Sequence, residues 1–281
     1  MALEPLAPPP APSGQRILIL APHPDDEIVA CGIAARHARR AGAELFVLYL
    51  TSGVPPGETG WPWRRRSYAA RSARRRDEAR AAAALLGLEP IEFLDIASRR
   101  LATRLDAARE AAQDALRRTR ADCLWVTAFE GAHQDHDAAN ALAARFAARV
   151  PVWEFAAYNY AGGRVRSNRF LDARGGVIEL RLDRDAAALK RRALALYPSE
   201  RGNLAHIRLE QEAWRPLPHH DYGTPPHPGR LFRERFHWLP FRHPRVDFTA
   251  SADIYSALGR WSAGAAGAAS ELLDIADAAG G

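Results

Sequence analysis

The sequence predicts an α/β protein with a mostly parallel sheet that is flanked by helices and followed by a C-terminal elaboration. Short apolar runs such as RILILA (16–21) lack an alternating polar face, as expected for strands buried on both sides. Segments of helical length separate these runs, and the two kinds of segment alternate from residue 16 to about residue 160. This alternation is typical of βαβ units.

The elements can be placed in order along the chain. The apolar runs predict strands at 16–21, 44–53, 91–96, 123–128 and 152–158. The intervening segments predict helices that end near residue 41 and then cover 66–86, 104–119 and 136–149. A further strand at 175–183 and a helix at 186–197 follow, whereas 198–247 has little periodicity.

We expect one domain over residues 16–248, with a core at 16–160 and an elaboration at 161–248. Residues 1–15 are rich in proline and alanine and predict a disordered tail. The Ala/Gly-rich segment 249–281 predicts a single helix before a frayed end. No linker or internal repeat divides the predicted domain.

Composition argues against several classes of protein. The net charge of +6 comes almost entirely from arginine spread along the chain, with Lys190 the only lysine, so we expect no nucleic-acid partner. No apolar run is long enough for a membrane span, and the N-terminus lacks a signal-peptide pattern, which predicts a cytoplasmic protein. Two cysteines in 281 residues do not form a disulfide framework.

Polar residues cluster after two of the predicted strands. HPDDE (23–27) follows the first strand, and FEGAHQDHD (129–137) follows the strand at 123–128. The carboxyl ends of parallel strands share one edge of a sheet, so the two clusters should meet there. A divalent cation held by two histidines and a carboxylate would offset the repulsion among the acids. The residues alone leave open whether Asp25 or Asp26 is the ligand.

The pair of motifs resembles the LmbE-like (PIG-L) family of zinc-dependent N-deacetylases, whose motifs are HPDDE and HxDH. The similarity covers about residues 16–160 and includes Gly32, LTSG (50–53) and an R-x-x-E…LG helix at 75–87. It implies a Rossmann-like fold and hydrolysis of acetamido groups on amino-sugar conjugates. The enzyme would bind one Zn²⁺, or another divalent transition metal, per chain.

The resemblance also implies roles for individual residues. His23, Asp26 and His136 would bind zinc, and Asp25 would be the general base. His133 would stabilise the oxyanion as a cation, while Asp135 would orient its imidazole. Glu27 has a simpler interpretation, as a favourable charge at a helix start.

Four residues are candidates for substrate contact. Trp61 and Trp63 lie in the loop 54–66 and could stack on a sugar ring or anchor the loop. Arg75 matches the family pattern and could instead pair with Glu78, and Asp95 ends the third predicted strand, where it could instead cap the loop.

The C-terminal segments leave several interpretations open. His219, His220 and His227 fit loop histidines better than a second metal site, because no ligand spacing recurs. YPSE (197–200) falls where some family members have a short Tyr/Ser motif, without an assigned role. The aromatic-rich segment 231–241 fits a core edge, a substrate cover or a homo-oligomer contact.

The sequence therefore predicts a metal-dependent amide hydrolase that removes an acetyl or larger acyl group from an amino-sugar conjugate. A hydrolase of a non-sugar amide is the alternative within enzymes. A non-catalytic carbohydrate-binding protein is the alternative from another class.

Overall fold

A computed structural model of the protein describes residues 14–56, 67–238 and 249–278. Its centre is a seven-stranded sheet with the strand order β3-β2-β1-β4-β5-β9-β8. The first five strands are parallel and follow the Rossmann order, because the chain crosses from β3 back to β4 beside β1. The predicted α/β fold with a mostly parallel sheet is confirmed.

The parallel strands are somewhat shorter than the apolar runs predicted. They are β1 Arg16–Ala21, β2 Glu44–Tyr49, β3 Glu89–Phe93, β4 Cys123–Thr127 and β5 Val152–Phe155. The helices between them are α1 Asp26–Arg40, α2 Tyr68–Leu86, α3 Leu105–Thr119 and α4 Gln134–Ala144. The strand predicted at 91–96 begins two residues earlier and ends before Asp95, and the helix predicted at 136–149 begins within the HQDH motif.

Local chemistry explains where the long helix α2 begins and ends. The Ser67 hydroxyl accepts a hydrogen bond from the Ala70 N–H at 3.2 Å, which is an N-cap. Gly87 follows the last turn in the left-handed region, with φ of 77°, as glycine favours at this position. The predicted end of this helix at residue 86 is confirmed.

The C-terminal elaboration extends the central sheet. After the short hairpin of β6 Tyr158–Asn159 and β7 Arg166–Ser167, strand β8 Ile178–Arg181 leads into helix α5 Arg184–Ala195. Strand β9 Gln211–Pro216 then inserts antiparallel between β5 and β8. Strand β9 was not predicted from the sequence. It is buried on both faces and carries Glu212 and Arg215 inside the protein, so it lacks an apolar pattern. Helix α6 covers Ser251–Ala278.

Two apolar layers cover the faces of the sheet. One packs α1 and α2 on Ile17, Val47 and Trp125, and the other packs α3 and α4 on Leu18, Leu48 and Val126. Leu20 and Val126 are register partners in β1 and β4, so the two strands end side by side. This adjacency brings the HPDDE and HQDH segments together. Within the described residues, no helix has the length and apolar character that crossing a membrane requires.

Candidate metal centre

Asp26 lies between two imidazoles that belong to distant parts of the chain. Its Oδ2 atom is 2.9 Å from His23 Nδ1 and 3.1 Å from His136 Nε2. His23 follows β1, Asp26 begins α1, and His136 lies in the first turn of α4, so three elements converge on this point. Ligand atoms from all three residues lie within 4.8 Å of one another. The structure thus selects Asp26, and not Asp25, as the carboxylate between the histidines.

The charges of this cluster favour a cation. Burial raises the pKa of the Asp26 carboxyl, but the imidazoles of His136 and His23 outweigh burial and hold that pKa far below its usual range. Burial lowers the pKa of His23, yet the charges and hydrogen bonds of Asp26 and Asp135 raise it to about 10. Both shifts show that positive charge between the carboxylates is stabilised.

The donor set of this cluster fits a divalent metal ion. His136 is fully buried; among the described residues its Nδ1 has no hydrogen-bond partner, and its Nε2 has only the 3.1 Å contact with Asp26 Oδ2, whose geometry is poor for a hydrogen bond. Two imidazole nitrogens and one carboxylate oxygen are the donors of many catalytic zinc sites. His23, Asp26 and His136 are therefore the residues that could hold the ion.

A second group, His23, His133 and Asp135, adjoins the first and shares His23 with it. Asp135 Oδ2 is 3.0 Å from His23 Nε2 and accepts a hydrogen bond from the Arg99 N–H at 2.6 Å, and Oδ1 accepts one from the Leu101 N–H at 3.1 Å. Its distance to His133 Nδ1 is 3.6 Å, too long for a hydrogen bond. Asp135 thus holds His23 and the loop after β3.

The surroundings of His133 bear on whether its imidazole is a cation, as the resemblance implies. Its Nδ1 accepts a hydrogen bond from the Asp135 N–H at 3.1 Å, which assigns the ring proton to Nε2. Burial, together with the charges of His23 and His136, moves the pKa of His133 well below its usual value, although Asp135 opposes this. Both observations favour the neutral imidazole, with Nε2 as the ring atom that can donate.

Asp25 is paired with a residue of helix α2. Its Oδ2 atom is 3.1 Å from Arg75 Nη2, and Arg75 Nη1 is 3.5 Å from Glu200 Oε1. Burial raises the pKa of Asp25 to about 6, and the Arg75 guanidinium limits that rise. A carboxyl in this range is ionised at neutral pH and can still accept and return a proton.

Arg75 can approach Asp25 because Gly53 leaves room for it. Gly53 has φ of 66°, and a Cβ at this position would lie 2.8 Å from Pro24 Cδ and 3.0 Å from Arg75 Nη2. The glycine of the LTSG motif thus serves close approach of the guanidinium to the HPDDE loop. The alternative pairing of Arg75 with Glu78 is not formed, because Glu78 pairs with Arg74 at 2.8 Å.

Glu27 has a different environment from the expected helix-start charge. It is buried beneath the site, where its Oε1 atom accepts hydrogen bonds from Tyr49 at 2.9 Å and Tyr197 at 2.7 Å. Burial raises its pKa to about 8, against the effect of these hydrogen bonds. Tyr197 and Glu200 both belong to the YPSE segment, which therefore contacts Glu27 directly and reaches Asp25 through Arg75. The motif was visible in the sequence, but its partners were not.

The other candidate residues lie apart from this cluster or outside the described residues. The Asp95 side chain is 76% exposed, and it accepts a hydrogen bond from Tyr68 at 3.3 Å. Trp61 and Trp63 lie outside the residues that the structure describes. Glu154 Oε2 accepts a hydrogen bond from His220 Nε2 at 3.0 Å, and the Pro228 carbonyl accepts one from His227 Nδ1 at 2.9 Å. Among the described residues, no metal-type cluster contains a histidine from 219–227.

An aromatic wall borders the cluster and was not predicted. The Tyr158 ring lies 5.4 Å from the His136 ring and packs against His206 and Phe232, with centroid distances of 4.7 and 4.5 Å. Phe232 belongs to the aromatic-rich segment 231–241, so the described part of that segment reaches the rim of the site. Its residues from 239 onward lie outside the described ranges.

Comparison with known proteins agrees with the motifs. Residues 18–147 match the PIG-L family, described as GlcNAc-PI de-N-acetylase. The matched residues include both the HPDDE and the HQDH segments. The resemblance predicted from HPDDE and HQDH is thus confirmed, and among curated proteins none matches significantly.

Several solved structures share the fold of this chain. A deacetylase of teicoplanin biosynthesis, in its bog complex, is 18% identical with a TM-score of 0.56, covering 72% of this chain and 97% of its own. The A40926 pseudoaglycone deacetylase Dbv21 is 20% identical with a TM-score of 0.54, covering 72% and 96%. N,N'-diacetylchitobiose deacetylase from Pyrococcus horikoshii is 18% identical with a TM-score of 0.53, covering 73% and 84%. At these identities the similarity establishes the fold.

Proposed function

We propose that this protein is a zinc-dependent N-deacetylase that hydrolyses the amide of an N-acylated amino-sugar conjugate. The observation that carries the proposal is that two adjacent aspartates have different partners. Asp26 lies between His23 and His136, whereas Asp25 pairs with Arg75. The family description names a GlcNAc-PI de-N-acetylase, and two of the structural neighbours are described as deacetylases of A40926 pseudoaglycone and of N,N'-diacetylchitobiose, which supports the same chemistry.

His23, Asp26 and His136 would hold the metal ion, which supplies Lewis-acid polarisation and a water of lowered pKa when bound. One neighbour, the teicoplanin deacetylase Orf2, was solved in a zinc-inhibited form, so zinc binds that protein. We assign zinc to this site because two imidazoles and one carboxylate suit it, and we expect one ion per chain.

Asp25 is the proposed general base. Its pKa of about 6 keeps the carboxylate ionised at pH 7, so it accepts a proton from the attacking water as the C–O bond forms. The same carboxyl, now protonated, returns the proton to the amide nitrogen as the C–N bond breaks. The ion pair with Arg75 fixes the carboxylate in place for both transfers.

His133 is the proposed donor to the oxyanion that develops on the acyl carbonyl. It is the most exposed of the three imidazoles, with 22% of its side chain accessible, so it can reach the substrate. A neutral imidazole that donates from Nε2 stabilises this charge, and such a donor is worth about 3 kcal/mol. Asp135 contributes through its backbone N–H, which fixes the tautomer of His133. The proposed substrate contacts remain Arg75, Asp95, Trp61 and Trp63. Arg75 would contact only those groups of the substrate that lie next to Asp25.

The proposal is tested by amine release from N-acetylglucosamine, N,N'-diacetylchitobiose and N-acetylglucosaminyl lipid or peptide conjugates. The protein is stripped of metal and reloaded with zinc, and a His136→Ala variant is the control. We expect zinc-dependent release of free amine and acetate from at least one conjugate, and no release by the variant. A folded, zinc-loaded wild type that cleaves no amide in the panel refutes the proposal.

A further inference from the structure

Helix α1, whose first residue is Asp26, is broken after its first turn. Cys31 has φ of −142° and ψ of 18°, which lies outside the helical region. In a continuous α-helix the Ile33 N–H would donate to the Val29 carbonyl. All three residues are buried, so the backbone groups that the break releases need other partners.

Glu212 of β9 supplies the acceptor on one side of the break. Its two carboxylate oxygens accept hydrogen bonds from the Ile33 N–H at 2.9 and 3.1 Å and from the Ala34 N–H at 2.8 Å. Glu212 therefore caps the second part of α1 from a strand that is 179 residues away along the chain. A side-chain carboxylate at a helix N-terminus stabilises both its orphan N–H groups and its dipole.

Lys190 and Asn168 supply the donors on the other side. The Val29 carbonyl accepts a hydrogen bond from Lys190 Nζ at 2.9 Å and from Asn168 Nδ2 at 2.7 Å. Lys190 also pairs with Glu212 at 2.8 Å, and both side chains are fully buried. The only lysine of an arginine-rich chain thus occupies this break, where a compact ammonium fits between a carbonyl and a carboxylate.

The first part of α1 is a single turn, residues 26–30. One helical turn forms few internal hydrogen bonds, so its orientation depends on what its ends contact. At its start the Asp25 carbonyl accepts from the Val29 N–H at 3.0 Å, and at its end the Val29 carbonyl is held by Lys190 and Asn168. We propose that Glu212, Lys190 and Asn168 are positioning residues that hold the break in α1 and so keep Asp26 against the two histidines.

This inference rests on the proposed metal site, and it gives the C-terminal elaboration a role in it. A buried ion pair is seldom retained for stability, because apolar residues of the same volume are often as stabilising. In this protein the ion pair of Lys190 and Glu212 also forms hydrogen bonds with the released backbone groups of α1, the helix that begins with the proposed metal ligand Asp26. Without it, α1 can straighten and re-form the bond from Ile33 to Val29, which would turn Asp26 away from His23 and His136.

The decisive variant is the double substitution Lys190→Met with Glu212→Leu, which removes both charges and keeps an apolar interior. We expect it to fold and to bind zinc ions at least 10-fold more weakly than wild type, as found for residues that orient metal ligands. Affinity is measured by competition with a chelator, independently of catalysis. Asn168→Gly, which suits the φ of 54° at this residue, keeps the ion pair and should weaken zinc binding about threefold.

The matched control is Leu180→Ala, because Leu180 is buried in β8 and is the register partner of Glu212, but its apolar side chain cannot hydrogen-bond to the released backbone groups. It should lower the melting temperature and leave the zinc affinity unchanged. Zinc affinities equal to wild type in both the double variant and Asn168→Gly overturn this inference, while the proposed function stands. A wild type that binds no zinc overturns both. A loss of zinc affinity in Leu180→Ala equal to that of the double variant, at matched stability, shows a structural role alone and also overturns the inference.

Discussion

Replacing Arg75 by methionine should shift the pH dependence of catalysis more than it changes substrate binding. Methionine keeps the length of the side chain and removes the charge 3.1 Å from Asp25 Oδ2. At an effective dielectric constant of about 20, two unit charges at this distance attract by about 5 kcal/mol, a ceiling of about 4 pKa units. Water entering the space reduces the effect, and about 1–3 units is typical of such pairs.

The sign of the change follows from the charges. Asp25 has a pKa of about 6 with Arg75 present, so about nine-tenths of it is ionised at pH 7. A rise of about 2 units leaves about one-tenth ionised, which lowers kcat/KM about 10-fold at pH 7. The loss should vanish above about pH 9, where Asp25 is ionised in both proteins.

The assay is the pH profile of amine release, with both proteins at the same zinc occupancy. Arg80→Met is the matched control, because Arg80 lies on the same helix, pairs with Asp77 at the surface and does not contact Asp25. A loss of the same size at pH 6, 7 and 9, expressed in KM, would refute the reasoning. It would mean that Arg75 acts on catalysis through substrate binding alone and not through the pKa of Asp25.

Substitutions at three further residues test the other assignments. Asp25→Asn should bind zinc as wild type does and lose about 10²–10⁴ in kcat, and loss of the metal itself would contradict its role as base. His133→Ala should lose about 10²–10³ in kcat, whereas His133→Gln, which keeps a donor, should recover part of it, and equal losses in the two variants would argue against a donor role. Gly53→Ala should displace Arg75 and shift the pH profile as Arg75→Met does, while Gly162→Ala, with φ of 67° and open space around its Cβ, should only cost about 1–3 kcal/mol of stability. Identical pH profiles for the two glycine variants would count against the close-approach argument.

The parallel half of the sheet could be predicted from the sequence because its strands are continuous apolar runs. β1 and β4 could be recognised from their apolar residues alone. Because both are parallel strands, the motifs that follow them were predicted to lie at the same edge of the sheet. β9 could not be recognised in the same way. It places Glu212 and Arg215 inside the protein, where Lys190 and Glu154 neutralise them, and periodicity carries no information about such partners.

The same limit applies to the candidate site. HPDDE and HQDH have distinctive spacing, so the histidines and aspartates could be singled out from the chain alone. The partner of Asp25 could not, since the ion pair with Arg75 depends on the space that Gly53 leaves and on Glu200 from a later loop. The charge state of His133 was likewise out of reach, because it depends on burial and on which atom of Asp135 contacts the ring.

The central claim is that His23, Asp26 and His136 hold a catalytic zinc ion. Anomalous diffraction from zinc-loaded crystals, measured above and below the zinc absorption edge, tests it directly. We expect one anomalous peak that lies about 2.0–2.2 Å from a ring nitrogen of His23, a ring nitrogen of His136 and a carboxylate oxygen of Asp26. A peak bound by His133 and Asp135, the second cluster that shares His23, or no peak in a fully loaded crystal, would contradict it.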